Sequence, residues 1–190
     1  MLKSNRFLGF VICAALLSAV PAHAKEAAGY DFPEQTQVAG QQVSLVGTGV
    51  RTKWMLTIYG MGVYTKTPKK QAAWLVSADE PKMLWLHMAR SIAAEKMRDT
   101  IDQTFTRNTP AAERAPMMED LEKIKAAFPD PIGKGLDIRF IYSPEKGTTL
   151  RLGNVDKVTV PGSAFMRAIW RIWFGHSPAD SGLTEEILGK

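Results

Sequence analysis

Residues 48–64, with the sequence TGVRTKWMLTIYGMGVY, form the stretch around which the rest of the chain is predicted to fold. Successive side chains of a β-strand point to opposite faces. Apolar side chains occur at both parities here: Val50, Trp54, Leu56 and Ile58 share one face, and Met55, Tyr59, Met61 and Val63 share the other. The stretch is rich in β-branched and aromatic residues and lacks Pro, which favours a central strand over an edge strand. We therefore predict one long strand that is covered on both faces.

Three polar groups interrupt this apolar stretch. They are the side chains of Arg51 and Lys53 and the hydroxyl of Tyr59. A buried charge or hydrogen-bond donor that has no partner is costly, so each of these groups needs one. A bound anion is a candidate partner, and the stretch is therefore a candidate ligand site.

The N-terminal residues 1–24 have the pattern of a cleavable secretory signal peptide. Lys3 and Arg6 precede an apolar segment at 8–20, and Ala22-His23-Ala24 supplies the small residues of a cleavage site. The apolar segment is shorter than the roughly 20 residues that a bilayer-spanning helix needs. We predict a soluble, periplasmic protein with no stable membrane span; a membrane anchor is the less favoured alternative.

Composition narrows the class of the remaining domain, residues 25–190. The only cysteine, Cys13, lies in the predicted signal segment, so the mature chain has neither disulfides nor cysteine metal ligands. A single domain of this size buries a sufficient core without them. The chain has 24 basic and 19 acidic residues, and removal of Lys3 and Arg6 leaves 22 against 19, or +3. This excess is too small to predict nucleic-acid binding, but it permits weak attraction for anionic ligands or lipid surfaces.

Hydrophobic periodicity and turn residues predict the other elements. Residues 25–34 are polar, with Gly29 and Pro33, and are expected to be an extended lead-in. The further predicted strands are 36–39, 43–46, 83–88, 136–142, 148–152 and 157–160. In 83–88, alternation predicts Leu84, Leu86 and Met88 on one face and Trp85 and His87 on the other. The predicted helices are 91–107 with Ser91 as its cap, 110–128, 164–174 and 180–188, and 71–77 is either a short helix or irregular. The helix at 164–174 is apolar enough to bury most of its circumference. Strands, two helices, a strand meander and two more helices indicate an α+β fold with an antiparallel sheet.

Several motifs, taken in order, resemble the chalcone isomerase-like family. They are GTGVR at 47–51, IYGMGVY at 58–64, the pair of central helices, the hairpin IYSPEKGTTLRL at 141–152, and the ending GSAFMRAIWRIWFGHSPADSGLTEEILG at 162–189. The resemblance implies an open-faced β-sandwich in which a large antiparallel sheet and a layer of helices enclose a ligand cleft. It also implies two different activities, because the plant enzymes cyclise chalcones to flavanones whereas non-catalytic relatives bind fatty acids.

The resemblance also suggests roles for individual residues. Arg51 matches the arginine that stabilises the attacking phenolate in the enzymes. Tyr59 stands where the enzymes have a threonine, as in the fatty-acid-binding relatives, in which arginine and tyrosine together hold a carboxylate. The enzymes carry a tyrosine ahead of a lysine at the start of a helix, where this chain has Ala93 and Ala94, with Lys96 remaining. These departures argue against chalcone cyclisation.

Arg51 is the leading candidate because a guanidinium can bind a carboxylate through two parallel hydrogen bonds. A structural salt bridge at a strand end is the alternative for Arg51, and a core tyrosine bonded to backbone is the alternative for Tyr59. Eight residues of ideal strand would separate the two by roughly 26 Å. They can share one ligand only if the chain bends near residues 52–54. Lys96 is predicted to face solvent, with a position beside the cleft as the alternative.

Other charged residues give weaker signals. Arg167 and Arg171 lie on one face of a predicted helix, and they form either an anion-attracting edge or a solvated face. His87 and His176 have no carboxylate at ligand spacing, so no metal site is predicted, and no cofactor is expected.

Three hypotheses about function follow. The first is a periplasmic, non-catalytic binder of a small amphipathic anion such as a fatty acid, held by Arg51 and Tyr59. The second is an isomerase of the intramolecular lyase type, with Arg51, Tyr59 and Lys96 as candidate catalytic residues. The third is a non-catalytic envelope or assembly factor whose helix at 164–174 meets a protein partner.

Overall fold

The structure, a computed structural model, describes residues 24–190 and has nine β-strands. Two short strands, β1 (Ala24–Ala27) and β2 (Tyr30–Pro33), pair with each other. The other seven form one antiparallel sheet in which neighbours in space are neighbours in sequence. They are β3 (Gln35–Val38), β4 (Gln41–Lys53), β5 (Leu56–Thr65), β6 (Lys82–Met88), β7 (Asp137–Ser143), β8 (Gly147–Leu152) and β9 (Val155–Val160). The predicted signal segment lies outside the described residues, apart from Ala24.

Six helices accompany the sheet. They are α1 (Ala72–Ser77), α2 (Ala94–Asn108), α3 (Ala111–Arg114), α4 (Met118–Ala126), α5 (Ser163–Phe174) and α6 (Ser181–Leu188). The helix predicted at 110–128 is divided, because Pro116 lies in a 3₁₀ turn between α3 and α4 and has no backbone N–H to donate. Across residues 24–190, no helix is long and apolar enough to cross a membrane. The predicted α+β fold with an antiparallel sheet is confirmed, and the β1–β2 pair forms a second, two-stranded sheet.

The main core lies between one face of the sheet and the helices. Alternation in β6 sends Leu84 and Leu86 into this core and Trp85 to the opposite face, as the sequence predicted. Helix α5 is the most deeply buried helix, and both Trp170 and Ile169 have no exposed surface. Its apolar face is therefore covered by the rest of the protein, and it is not available to the protein partner that the third hypothesis requires.

The β1–β2 hairpin covers part of the other face of the sheet. Phe32 is fully buried there, and the ring of Tyr30 stacks on His87 with 4.0 Å between ring centroids. The prediction of an extended lead-in at 25–34 is therefore wrong. Ala28 and Gly29 both have positive φ and reverse the chain direction. The short polar segment contained no hydrophobic pattern from which this reversal could be predicted.

Helix α6 packs closely on β4 because two glycines of the strand leave room for its backbone. A Cβ atom at Gly47 would collide with the carbonyl oxygen of Ile187, and one at Gly49 would lie 2.7 Å from that of Leu183. The carboxylate of Asp180 accepts a hydrogen bond from the Leu183 amide at 3.0 Å and caps the helix. This helix covers the middle of β4 but not its C-terminal end.

The stretch 48–64 is two strands and not one. Strand β4 ends at Lys53, β5 begins at Leu56, and the two are paired antiparallel. The intervening Trp54 and Met55 have φ values of 50° and 64°, and two positive φ values in a two-residue loop are typical of a type I′ turn. Trp54 is 84% exposed and Met55 is 99% exposed, so the prediction of a continuous strand buried on both faces is wrong. The apolar residues occur at both parities because two opposing strands and an exposed turn contribute them.

Candidate functional site

A cleft of about 390 Å³ lies between the β4–β5 hairpin and the N-terminal half of α2. The hairpin forms one wall, the segment before α2 closes one end, and the exposed side of α2 forms the other wall. The lining residues are Arg51, Lys53, Ile58, Tyr59, Ile92, Glu95, Lys96, Met97, Asp99, Thr100 and Gln103. Apolar and aromatic side chains therefore lie at the base of the cleft, and charged side chains lie at its rim.

Arg51 and Tyr59 face each other across the hairpin. They are directly paired residues of β4 and β5, and the Arg51 Cζ atom lies 5.8 Å from the centre of the Tyr59 ring. Directly paired residues point to the same face of a sheet. The hairpin therefore removes the separation of roughly 26 Å that an ideal strand predicts. The bend that a shared site requires is the turn at Trp54 and Met55.

The Arg51 guanidinium has no acidic partner among residues 24–190. No carboxylate oxygen in this range lies within 4.0 Å of it, although Glu95 and Asp99 line the same cleft. Three other arginines are paired with carboxylates: Arg139 with Asp137, Arg151 with Asp156 through two hydrogen bonds, and Arg171 with Glu113. The structural salt bridge considered for Arg51 is therefore not formed in the described part of the chain. The side chain is half-buried, which strengthens its interaction with any anion that enters.

Tyr59 is fully buried at the base of the cleft, and its hydroxyl is oriented by the core. The Trp173 indole Nε1–H donates a hydrogen bond to this hydroxyl at 3.0 Å. The Tyr59 oxygen is thus the acceptor, and no protein acceptor for its own proton occurs among residues 24–190. The partner differs from the backbone group that the alternative interpretation of Tyr59 assumed. Because Tyr59 has no exposed surface, a ligand atom can accept this remaining proton only by entering the buried base of the cleft.

Lys96 lies on the opposite wall and is exposed at the rim. The expected cap, Ser91, precedes the helix, and its Oγ atom accepts from the Lys134 amide at 3.0 Å instead. The N-cap residue of α2 is Ala93, whose side chain cannot cap the helix by a hydrogen bond. The helix places Lys96, Thr100 and Gln103 on one face toward the hairpin. Helical periodicity predicted that Lys96 faces solvent, because periodicity alone does not show which element lies opposite a helix.

Arg167 and Arg171 do not contribute to the cleft. Arg171 pairs with Glu113 at 2.7 Å, and Arg167 donates to the Ser163 hydroxyl at 2.9 Å. Neither residue lines the space between the hairpin and α2. The structure therefore gathers the three principal candidates, Arg51, Tyr59 and Lys96, around one cleft and leaves these two arginines outside it.

Comparison with known proteins places this chain in a defined class. The family of chalcone isomerase-like proteins matches residues 24–189, which is nearly the whole described chain. The chain therefore belongs to the chalcone isomerase-like family. Both the predicted family and the predicted open-faced sandwich are thereby confirmed.

One solved structure illustrates the likeness. The chain is similar to the crystal structure of a fatty-acid binding protein from Arabidopsis thaliana, with a TM-score of 0.66 and 17% sequence identity. The match covers 87% of this chain and 94% of the plant protein. At this identity the likeness shows a shared fold. No curated protein sequence gives a significant match.

Proposed function

We propose that this protein is a non-catalytic binder of a small amphipathic anion, such as a fatty acid or another acyl carboxylate. The observation that carries the proposal is the Arg51 guanidinium, half-buried above the ring of Tyr59, with no carboxylate within 4.0 Å among the described residues. A cation in such a position is stabilised by an anion from outside the chain. The fatty-acid binding protein of similar fold supports the same class of ligand.

The lining of the cleft suits an anion with one charge and an apolar tail. Arg51 would hold the carboxylate through two hydrogen bonds, and the Tyr59 hydroxyl proton would contribute a third contact to an oxygen at the base. Ile58, Ile92 and Met97 offer apolar surface to the first carbons of the chain. Three cationic and two acidic side chains line the cleft, so one positive charge is in excess. A monoanion therefore matches the charge of the cleft better than a polyanion does.

Export to the periplasm is part of this proposal. The supporting observation is the N-terminal pattern of two basic residues, an apolar segment at 8–20 and a small-residue site ending at Ala24. The domain matched by the family begins at the same residue. Mass spectrometry of the N-terminus of the protein purified from a periplasmic extract tests this point, and an intact Met1 contradicts it.

The direct test of binding is calorimetric titration of the folded domain, residues 24–190, with a medium-chain fatty acid. Arg51→Ala should weaken binding by about 1.5–3 kcal/mol, or about 10- to 150-fold, because a hydrogen-bonded charge pair is lost. Lys53→Ala is the matched control, since it removes the same charge from the same strand and wall of the cleft. We expect its effect to be less than about fivefold, as for an exposed charge. Equal losses in the two variants would mean that Arg51 acts only through general attraction, and no loss in either would refute the site.

An isomerase of the intramolecular lyase type is the second candidate. The observation in its favour is that Lys96 lines the same cleft as Arg51 and Tyr59. Arg51 would stabilise an oxyanion, Tyr59 would act as general acid or position a water, and Lys96 would support the charge. Chalcone cyclisation faster than in buffer, and abolished by Arg51→Ala, would favour this candidate. A rate equal to that of buffer removes its best-known version.

A further inference from the structure

The tip of the β4–β5 hairpin, which we define as residues 53–56, extends beyond the sheet. Pairing of β5 with β6 begins only at Tyr59, and pairing of β4 with β3 reaches only Ser44. Each residue from Thr52 to Thr57 is exposed. The tip is therefore a projecting arm that neither neighbouring strand covers.

The exposed residues of the tip are large and apolar. Trp54, Met55 and Leu56 are 84%, 99% and 49% exposed, and the other large apolar side chain exposed in residues 24–190 is Val155 at a separate turn. Consecutive exposure of this kind marks an interaction surface more often than chance surface composition. The turn conformation does not account for these residues, since two positive φ values favour Asn-Gly and disfavour bulky side chains.

Basic residues lie in the segments next to this apolar tip. The Lys53 ammonium lies 5.3 Å from the centre of the Trp54 ring, and Arg51 is two residues further along the same strand. Arg90 follows Ala89, whose amide donates to a carbonyl of β5 at 3.0 Å. Aromatic and aliphatic side chains flanked by basic ones are typical of segments that insert into the interface of an anionic membrane. Of the acidic residues nearby, Glu95 and Asp99 lie on the other wall of the cleft, and the Glu186 carboxylate accepts a hydrogen bond from the Val50 amide at 2.8 Å, on the side of the tip nearer the sheet.

The spacing along the hairpin fits such an insertion. Three residues of strand separate Arg51 from Trp54 by about 10 Å. Apolar groups of interfacial proteins enter the headgroup and acyl boundary by about 5–10 Å. With Trp54 and Met55 at that depth, Arg51 and the mouth of the cleft lie at the level of the lipid headgroups.

We propose that the hairpin tip anchors the protein to an anionic phospholipid bilayer and sets the cleft against the lipid headgroups. The part of this inference that concerns cargo rests on the proposed function. An amphipathic anion would then pass between the bilayer and Arg51 with its carboxylate leading, without crossing bulk water. The anchoring itself depends only on the tip and its basic neighbours.

The test compares the folded domain with the variant Trp54→Asn/Met55→Gly. This change removes both turn side chains and supplies the residue pair that a type I′ turn prefers, so the fold and its thermal stability should be retained. Neither residue lines the cleft. Wild-type protein should co-sediment with mixed phosphatidylcholine–phosphatidylglycerol vesicles more than with pure phosphatidylcholine vesicles, and less at high salt. The variant should bind the mixed vesicles at least about tenfold more weakly, because burial of the two side chains is lost.

Two further measurements separate anchoring from ligand binding. Lipids brominated along their acyl chains should quench tryptophan fluorescence of the wild type but not of the variant, while Val155→Ser should behave as the wild type. The tip variant and the wild type should bind soluble octanoate with equal affinity. The proposal is overturned if the variant binds vesicles as well as the wild type does, or if the wild type does not bind them. In the second case a protein partner would be the reason for the exposed tip. Vesicle binding without octanoate binding would instead contradict the proposed function and retain the anchor.

Discussion

The ammonium group of Lys82 is buried in the protein, and this predicts an unusual dependence of stability on pH. Lys82 has no exposed surface, and its Nζ atom donates to the Leu75 carbonyl at 2.7 Å and lies 4.3 Å from the centre of the Trp170 ring. Burial lowers the pKa of Lys82 from an ordinary value of 10.5 to about 7. The carboxylates of Glu80 and Asp79 partly oppose this lowering, and a nearby arginine adds slightly to it.

The sign of the effect follows from which state holds the proton. Between pH 7 and 10.5 the unfolded chain keeps the Lys82 proton while the folded protein releases it, so stability rises with pH across this window. Each pH unit contributes about 1.4 kcal/mol, which gives about 3 kcal/mol between pH 7 and 9. Below pH 7 both states are protonated and this lysine contributes no slope. Burial raises the pKa of Tyr64 and Tyr142 above its usual range, so these tyrosines lower stability only as pH rises beyond about 10.

Urea unfolding followed by circular dichroism at pH 7, 8 and 9 measures this slope. The free energy of unfolding of the wild type should rise by about 3 kcal/mol over this range. Lys82→Met, which is apolar and similar in length, should lose that rise and should be more stable than wild type at pH 7. Lys96→Met is the matched control at an exposed site and should keep the wild-type slope. A flat wild-type profile, or the same slope in Lys82→Met, would refute the conclusion that burial of Lys82 lowers its pKa.

Two further predictions concern helix α6 and its contact with β4. Gly47→Ala should destabilise the protein by about 1–3 kcal/mol in urea unfolding, because its Cβ collides with the Ile187 carbonyl and the helix must move. Gly133→Ala has open space around it and should change stability by less than about 0.5 kcal/mol; equal losses would contradict the packing argument. Asp180→Ala should cost about 1 kcal/mol by removing the cap of the Leu183 amide, and hydrogen exchange should quicken at the start of α6. Unchanged exchange at this amide would show that the cap contributes nothing.

Much of the fold could be predicted from local sequence patterns. Alternation in 83–88 correctly placed Leu84 and Trp85 on opposite faces of the sheet, and the structure shows that the helices cover the face of Leu84. The apolar density of 164–174 correctly predicted a buried helix, and the glycine after it marks its end. These patterns are reliable because period and burial are set by the immediate environment of each residue.

The candidate site was predicted only in part. Sequence resemblance singled out Arg51 and Tyr59, but helical periodicity left Lys96 facing solvent. Sequence also contained no sign that the Trp173 indole orients the Tyr59 hydroxyl, because this bond joins residues 114 positions apart. Contacts over such separations depend on how α5 lies across the sheet, and no local pattern records that placement.

The sequence by itself determined the α+β class, the order of most helices and strands, and the family, because periodicity, turn residues and motif spacing are local properties. The tertiary structure alone decided that residues 48–64 fold back on themselves. Trp54 and Met55 carry none of the usual turn signals, and their apolar side chains extend the apparent strand pattern across the turn. The antiparallel pairing of β4 with β5 overrides the local preference for a continuous strand. The hydrogen bonds between β4 and β5, and those between β5 and β6, form only if the chain reverses here. That reversal brings Arg51 beside Tyr59 and leaves the apolar tip exposed.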